Sequence, residues 1–165
     1  MTIDTLKRIL VFLLLCAAQV LVLNRIQLFG FATPLLYVYF VLMFPRNYPK
    51  WGLLLWSFCL GLVIDAFTNT PGVSSASLTL TGALQPYLIE LFLPRDAEEN
   101  METTAHNMGW NKFTTYSLLI VSIFCLTFFS IEAFNLLNWL HWLKCVVGST
   151  IITLLLILTL ENVRK

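Results

Sequence analysis

From Phe113 to Ile131 the chain carries no charged side chain, and apolar runs of the same kind return along nearly its whole length. An α-helix rises 1.5 Å per residue and the hydrocarbon layer of a bilayer is about 30 Å thick, so roughly 20 such residues make one crossing. Six runs stand out, over 3–23, 29–44, 51–67, 73–93, 113–134 and 139–160. Composition agrees: 58% of residues are hydrophobic and 12% charged, with a mean hydropathy of +0.81, against roughly 25% charged in a soluble domain. The expectation is an all-α integral membrane protein, one transmembrane domain over 1–165. No stretch between the runs is long enough for a second, water-soluble core.

The second run, 29–44, is the weakest. Pro34 sits near its start, and Pro45 and Pro49 in "FPRNYPK" stop it, so a short or re-entrant helix is the alternative to a full crossing. The basic residues arbitrate, because cytoplasmic loops collect Lys and Arg. Six crossings with both tails inside place Lys7, Arg8, Arg46, Lys50, Arg95, Lys112, Arg164 and Lys165 on the cytoplasmic side and leave Arg25 and Lys144 near the outer one. A re-entrant second run would move Arg46 and Lys50 outside. Tyr48, Trp51, Trp110 and Tyr116 then lie near the inner boundary, with Trp139 and Trp142 near the outer one, as interfacial aromatics do. The N-terminal "KRILVFLLLCAAQVLVL" has the basic start and apolar stretch of a secretory signal, but its apolar run continues past Cys16-Ala17-Ala18 to Leu23, so an uncleaved anchor is expected.

A net charge of +1 excludes nucleic-acid binding by bulk basicity. Cys16, Cys59, Cys125 and Cys145 all fall inside apolar runs without a C-x-x-C pair, which argues against a disulfide framework and a metal site. His106 and His141 have no ligand partner at suitable spacing. No phosphate-cradling loop, nucleophile elbow or paired-carboxylate site is visible, so neither an enzyme nor a cofactor is expected.

The polar groups inside the runs carry the remaining information. Asp65 lies at the outer end of the third run, just before the tight turn "NTPG", 69–72. Near an interface a carboxylate costs less than at mid-bilayer, and local donors meet it there. Thr68, Asn69 and Thr70 offer side-chain donors, Gly72 permits close approach, and the start of the fourth run presents unpaired N–H groups. Tying the third and fourth helices together is the preferred role for Asp65; contact with a partner and ion or proton handling are the alternatives. Gly61, one turn earlier on the same face, lets a neighbouring backbone approach. On the fourth helix Ser74, Ser77, Thr81 and Gln85 form a polar seam at spacings of three and four, which suits helix packing or the lining of a polar cavity. Pro86 is expected to bend that helix. Glu132 and Lys144 flank the last outer turn, "NLLN" 135–138, where pairing and independent snorkelling of Lys144 are both open. Cys145, Ser149 and Thr153 form a small stripe on the sixth helix that reads as packing. The connection over 94–112 carries Asp96, Glu98, Glu99 and Glu102 and reads as a solvated cytoplasmic loop or an acidic partner contact.

The ordered pattern "LNRIQLFGFATPLL", "FPRNYPKWG" and "GLVIDAFTNTPGVSSASLTLTGALQPYL" resembles MreD, the rod shape-determining membrane protein family of bacteria. Its most specific part is Gly61-x-x-x-Asp65, followed after a polar turn by Pro71-Gly72 and the small-residue helix; Pro34 ahead of the second run fits as well. The resemblance implies a compact six-helix bundle of the inner membrane, similar to the substrate-binding subunits of vitamin transporters. It further implies a non-enzymatic subunit of the cell-elongation machinery that works with MreC and MreB, alongside the RodA glycosyltransferase and its transpeptidase partner, in support of peptidoglycan synthesis. The acidic connection over 94–112 departs from the shorter, more basic one expected of that family. The competing expectation is a small-molecule-binding transporter subunit, with Asp65 and the fourth-helix seam lining an outward-facing pocket.

Overall fold

The structure, a computed structural model, describes residues 2–23, 32–93, 103–133 and 139–163. The described chain is all-α: α1 (Thr2–Leu21), a 3-10 turn (Leu36–Val38) running into α2 (Tyr39–Leu42), α3 (Lys50–Thr68), α4 (Val73–Phe92), α5 (Ala105–Met108), α6 (Trp110–Glu132) and α7 (Trp139–Val163). Three of these, α3, α6 and α7, are long and apolar enough to cross a membrane, and the chain is an all-α membrane protein. Helices α1 and α4 have 20 residues each. Lys7 and Arg8 dilute the apolar character of α1, and the Ser, Thr and Gln side chains of its seam dilute that of α4.

One expected helix is not formed. Over 32–44 the chain runs non-helical through Leu35, then makes a 3-10 turn of three residues and a helix of four, not the continuous helix read over 29–44. Pro34 has no N–H to give a helix, and the side chains around it hold the non-helical backbone instead. The segment is nonetheless the most deeply packed part of the molecule, with Tyr37, Val38, Phe40, Val41 and Leu42 all at most 2% exposed. Non-helical backbone survives at membrane depth only when protein surrounds it. At the other boundaries the shifts are small, except that α6 starts at Trp110, three residues ahead of the expected 113, α7 runs on to Val163, three residues past the expected 160, and α5 occupies part of the 94–112 connection. The acidic residues at 96–102 and the turn at 135–138 lie outside the described residues.

Helix α4 is inside-out relative to a helix of a soluble protein. It buries Ser74, Ser75, Ser77, Thr81 and Gln85 and exposes Leu80, Leu84, Tyr87 and Leu91, the pattern for a helix whose outer solvent is lipid. It packs lengthwise on α3 and α6. At the crossing with α3, a Cβ on Gly82 would stand 2.7 Å from Ser57 Oγ. Ring contacts fill the rest of the core: Tyr37 meets Phe124 of α6 edge-on at 5.4 Å, and Phe40 meets Phe12 of α1 at 5.8 Å. Helices α1 and α7 turn apolar faces outward through Leu6, Leu10 and Leu13 and through Leu140, Ile151 and Leu155.

Candidate functional site

Two polar constructions organise the bundle. The first is the corner between α3 and α4. α3 ends with Asn69 in the left-handed region at φ 59°, and the turn closes with Gly72 at φ 85°. The exposed Pro71 lies between them. Gly72 has no side chain to cap α4, so the first-turn N–H groups need another acceptor. Asp65 is that acceptor. Its Oδ1 takes the Ser74 N–H at 2.8 Å, its Oδ2 takes the Ser75 N–H at 2.9 Å, and the Thr70 hydroxyl donates to Oδ1 at 3.3 Å. Thr70 in turn shares a 2.6 Å bond with Thr68, whose hydroxyl bonds the Ile64 carbonyl. The carboxylate is 5% exposed, and it faces the positive end of the α4 dipole with charge-assisted bonds.

Gly61 makes this reach possible. A Cβ there would stand 2.6 Å from Ser75 N, so the backbones of α3 and α4 touch one turn below the carboxylate, and a longer side chain would part them. The Tyr37 hydroxyl bonds Ser74 Oγ at 3.4 Å, which joins the second segment to the same corner. Ser77 and Thr81 are buried and donate to the carbonyls of Val73 and Ser77, each at 2.7 Å. They lie in the helix interface and spend their hydroxyls on their own helix.

The second construction supplies what the broken helix over 33–44 lacks. The Thr33 N–H donates to Ser149 Oγ and the Leu35 N–H to Thr153 Oγ1, both at 3.0 Å. Gln19 of α1 serves both senses: its Nε2 donates to the Pro34 carbonyl at 3.0 Å and its Oε1 accepts the Leu36 N–H at 3.1 Å. At the far end the Phe44 carbonyl accepts from Gln85 Nε2 at 3.2 Å and from Thr103 Oγ1 at 3.0 Å. Glu161 of α7, 5% exposed, accepts the Tyr39 hydroxyl at 2.7 Å and the Ala105 N–H at 2.9 Å. Contacts with 149, 153 and 161 in turn mean that the segment runs beside α7 in the same direction.

Asp65, Gly61 and Gly72 thus meet at the corner of α3 and α4, which Tyr37 joins through Ser74, and Pro34, Ser77 and Thr81 are buried in the interior. Glu132 and Lys144 are exposed and stand apart from these constructions; among the described residues no ion pair joins them. The functional weight of Gln19 and Glu161 was missed by sequence reasoning. Gln19 could have been found as the lone amide in a run of apolar residues, where it must meet partners. Ser149 and Thr153 were read as packing and turn out to be backbone acceptors. Among the described residues, no three His, Cys, Asp or Glu side chains converge as a metal set. No protein-family model, no curated protein and no solved structure matches the chain.

Proposed function

We propose that the chain is a MreD-type scaffold: a non-enzymatic subunit of the cell-elongation machinery in the bacterial inner membrane. In this reading it crosses the bilayer six times with both tails inside, docks the transmembrane helix of MreC on its lipid-facing side, and supports peptidoglycan synthesis by MreB, RodA and its transpeptidase. The observation that carries the reading is how the interior polar groups are used. Asp65, Gln19, Gln85, Ser149, Thr153 and Glu161 all bond the chain's own backbone or one of its tyrosines. They brace a shape and leave the outward faces apolar. Association of such faces in lipid relies on close packing more than on hydrophobic burial.

The transporter-subunit reading asks the fourth-helix seam and Asp65 to meet a ligand. Those groups are engaged: Ser77 and Thr81 bond backbone carbonyls one turn back, Gln85 holds Phe44, and Asp65 holds α4. Support for six crossings comes from the second segment, which advances along α4 from its first turn, at Tyr37–Ser74, to Phe44–Gln85, about three turns further on.

The test is affinity purification in mild detergent followed by mass spectrometry. MreC is expected in the eluate and depletion of the protein is expected to abolish rod shape. A protein that recovers no MreC, and whose melting temperature rises with a vitamin-like small molecule, would replace the scaffold with the transporter subunit.

A further inference from the structure

Around the connection from α2 to α3, three cations stand without a carboxylate among the described residues. The Arg8 guanidinium of α1 lies over two rings of this connection, 5.2 Å from the Phe44 centroid and 4.3 Å from that of Tyr48. Those rings are themselves packed at 4.8 Å. Lys50 Nζ lies 4.6 Å over the Tyr87 ring of α4. Arg46, between them in sequence, is half-buried like Arg8. Among the described residues none of the three forms an ion pair; Glu161, at the same end, already holds Tyr39 and Ala105. Half-burial removes water from a guanidinium without removing its charge, so an anion is favoured there. The rings beside the cluster point to the source of that anion. Trp51 and Tyr87 beside it are 73% and 63% exposed, amphipathic rings of the kind that settle at the headgroup level of a bilayer.

We propose that Arg8, Arg46 and Lys50 form a binding site for the headgroup phosphate of an anionic phospholipid, with Tyr48 and Tyr87 as its aromatic walls. A ring beneath a guanidinium leaves the edge N–H groups free, and a phosphate oxygen takes those in pairs. The ammonium of Lys50 adds a point charge at the α4 side. Acyl chains of the bound lipid then lie along the exposed apolar faces of α1 and α3, which carry Leu10, Leu13, Leu55 and Phe58. The site requires only that the chain sits in a membrane, so it stands or falls separately from the scaffold reading.

The experiment reconstitutes the full chain in vesicles of equal dioleoyl-phosphatidylglycerol and dioleoyl-phosphatidylcholine, extracts it in mild detergent and counts retained lipid by native mass spectrometry. The wild type is expected to retain phosphatidylglycerol preferentially. Each of R8Q, R46Q and K50Q is expected to lower that preference about fivefold, the effect of one basic residue near an anionic surface. K144Q, at the opposite end of α7, leaves it unchanged. Should a variant at Arg8 or Arg46 melt early, K50Q alone decides, because Lys50 is exposed and outside the core. Equal retention of both lipids by the wild type, or undiminished preference in K50Q, overturns the proposal. Displacement of the lipid by inorganic phosphate would reassign the site to a free anion and overturn it equally.

Discussion

The Asp65 corner and the second segment solve one problem, buried backbone amides with no helical partner, over very different distances along the chain. Asp65 reaches N–H groups nine and ten residues away. The amides of Thr33 and Leu35 reach acceptors 116 and 118 residues away, and the Tyr39 hydroxyl reaches a carboxylate 122 residues away. The corner is therefore complete once α3 and α4 exist as a pair, whereas the second segment is satisfied only when α7 is in place. An unsatisfied amide in hydrocarbon costs several kcal/mol, so the corner is a local device and the segment a closing one.

Substitutions break this comparison in a definite order. G61L has the largest expected effect: its side chain meets the backbone of Ser75, with nothing flexible to yield, and a loss of about 3 kcal/mol or more is expected, read as failure to accumulate in membranes. D65A leaves the Ser74 and Ser75 amides orphaned. It is expected to cost about 3 kcal/mol in a detergent melt and, under the proposed scaffold role, to lower recovery of MreC. The pair S149V/T153V orphans two amides of the second segment and is expected to cost about 2 kcal/mol, since polar bonds between helices in a membrane are individually modest. A loss from S149V/T153V that matches or exceeds that of D65A would reverse the ranking of local over distant anchors. E161Q keeps an acceptor for Ala105 and is expected to cost under about 1 kcal/mol. K144A should melt within about 0.5 kcal/mol of wild type, since Lys144 is exposed and outside both constructions.

The same difference in reach explains what could be read from the sequence. The role of Asp65 was legible because its donors follow within a single turn, where Gly72 and the start of a helix announce themselves. The positions of α3, α6 and α7 followed from apolar length alone. The break in the second segment was not legible, because an apolar run reads the same whether a helix or a surrounding protein satisfies its backbone. Pro34 marked the weak point, but its remedy lay in Gln19, Ser149 and Thr153, residues that only the packed bundle brings near. Glu161 escaped notice for a different reason: it follows the last apolar run, where a carboxylate is ordinarily solvated.

The most direct test of this account asks whether the segment over 33–44 passes through the membrane. In a cysteine-free background, single cysteines at Leu23, Asn47 and Pro71 are exposed in intact cells to a membrane-impermeant maleimide. The account predicts that Leu23→Cys and Pro71→Cys label from outside while Asn47→Cys labels only after the membrane is opened. Labelling of Leu23→Cys and Asn47→Cys from the same side would contradict it, since the segment would then enter and return without crossing.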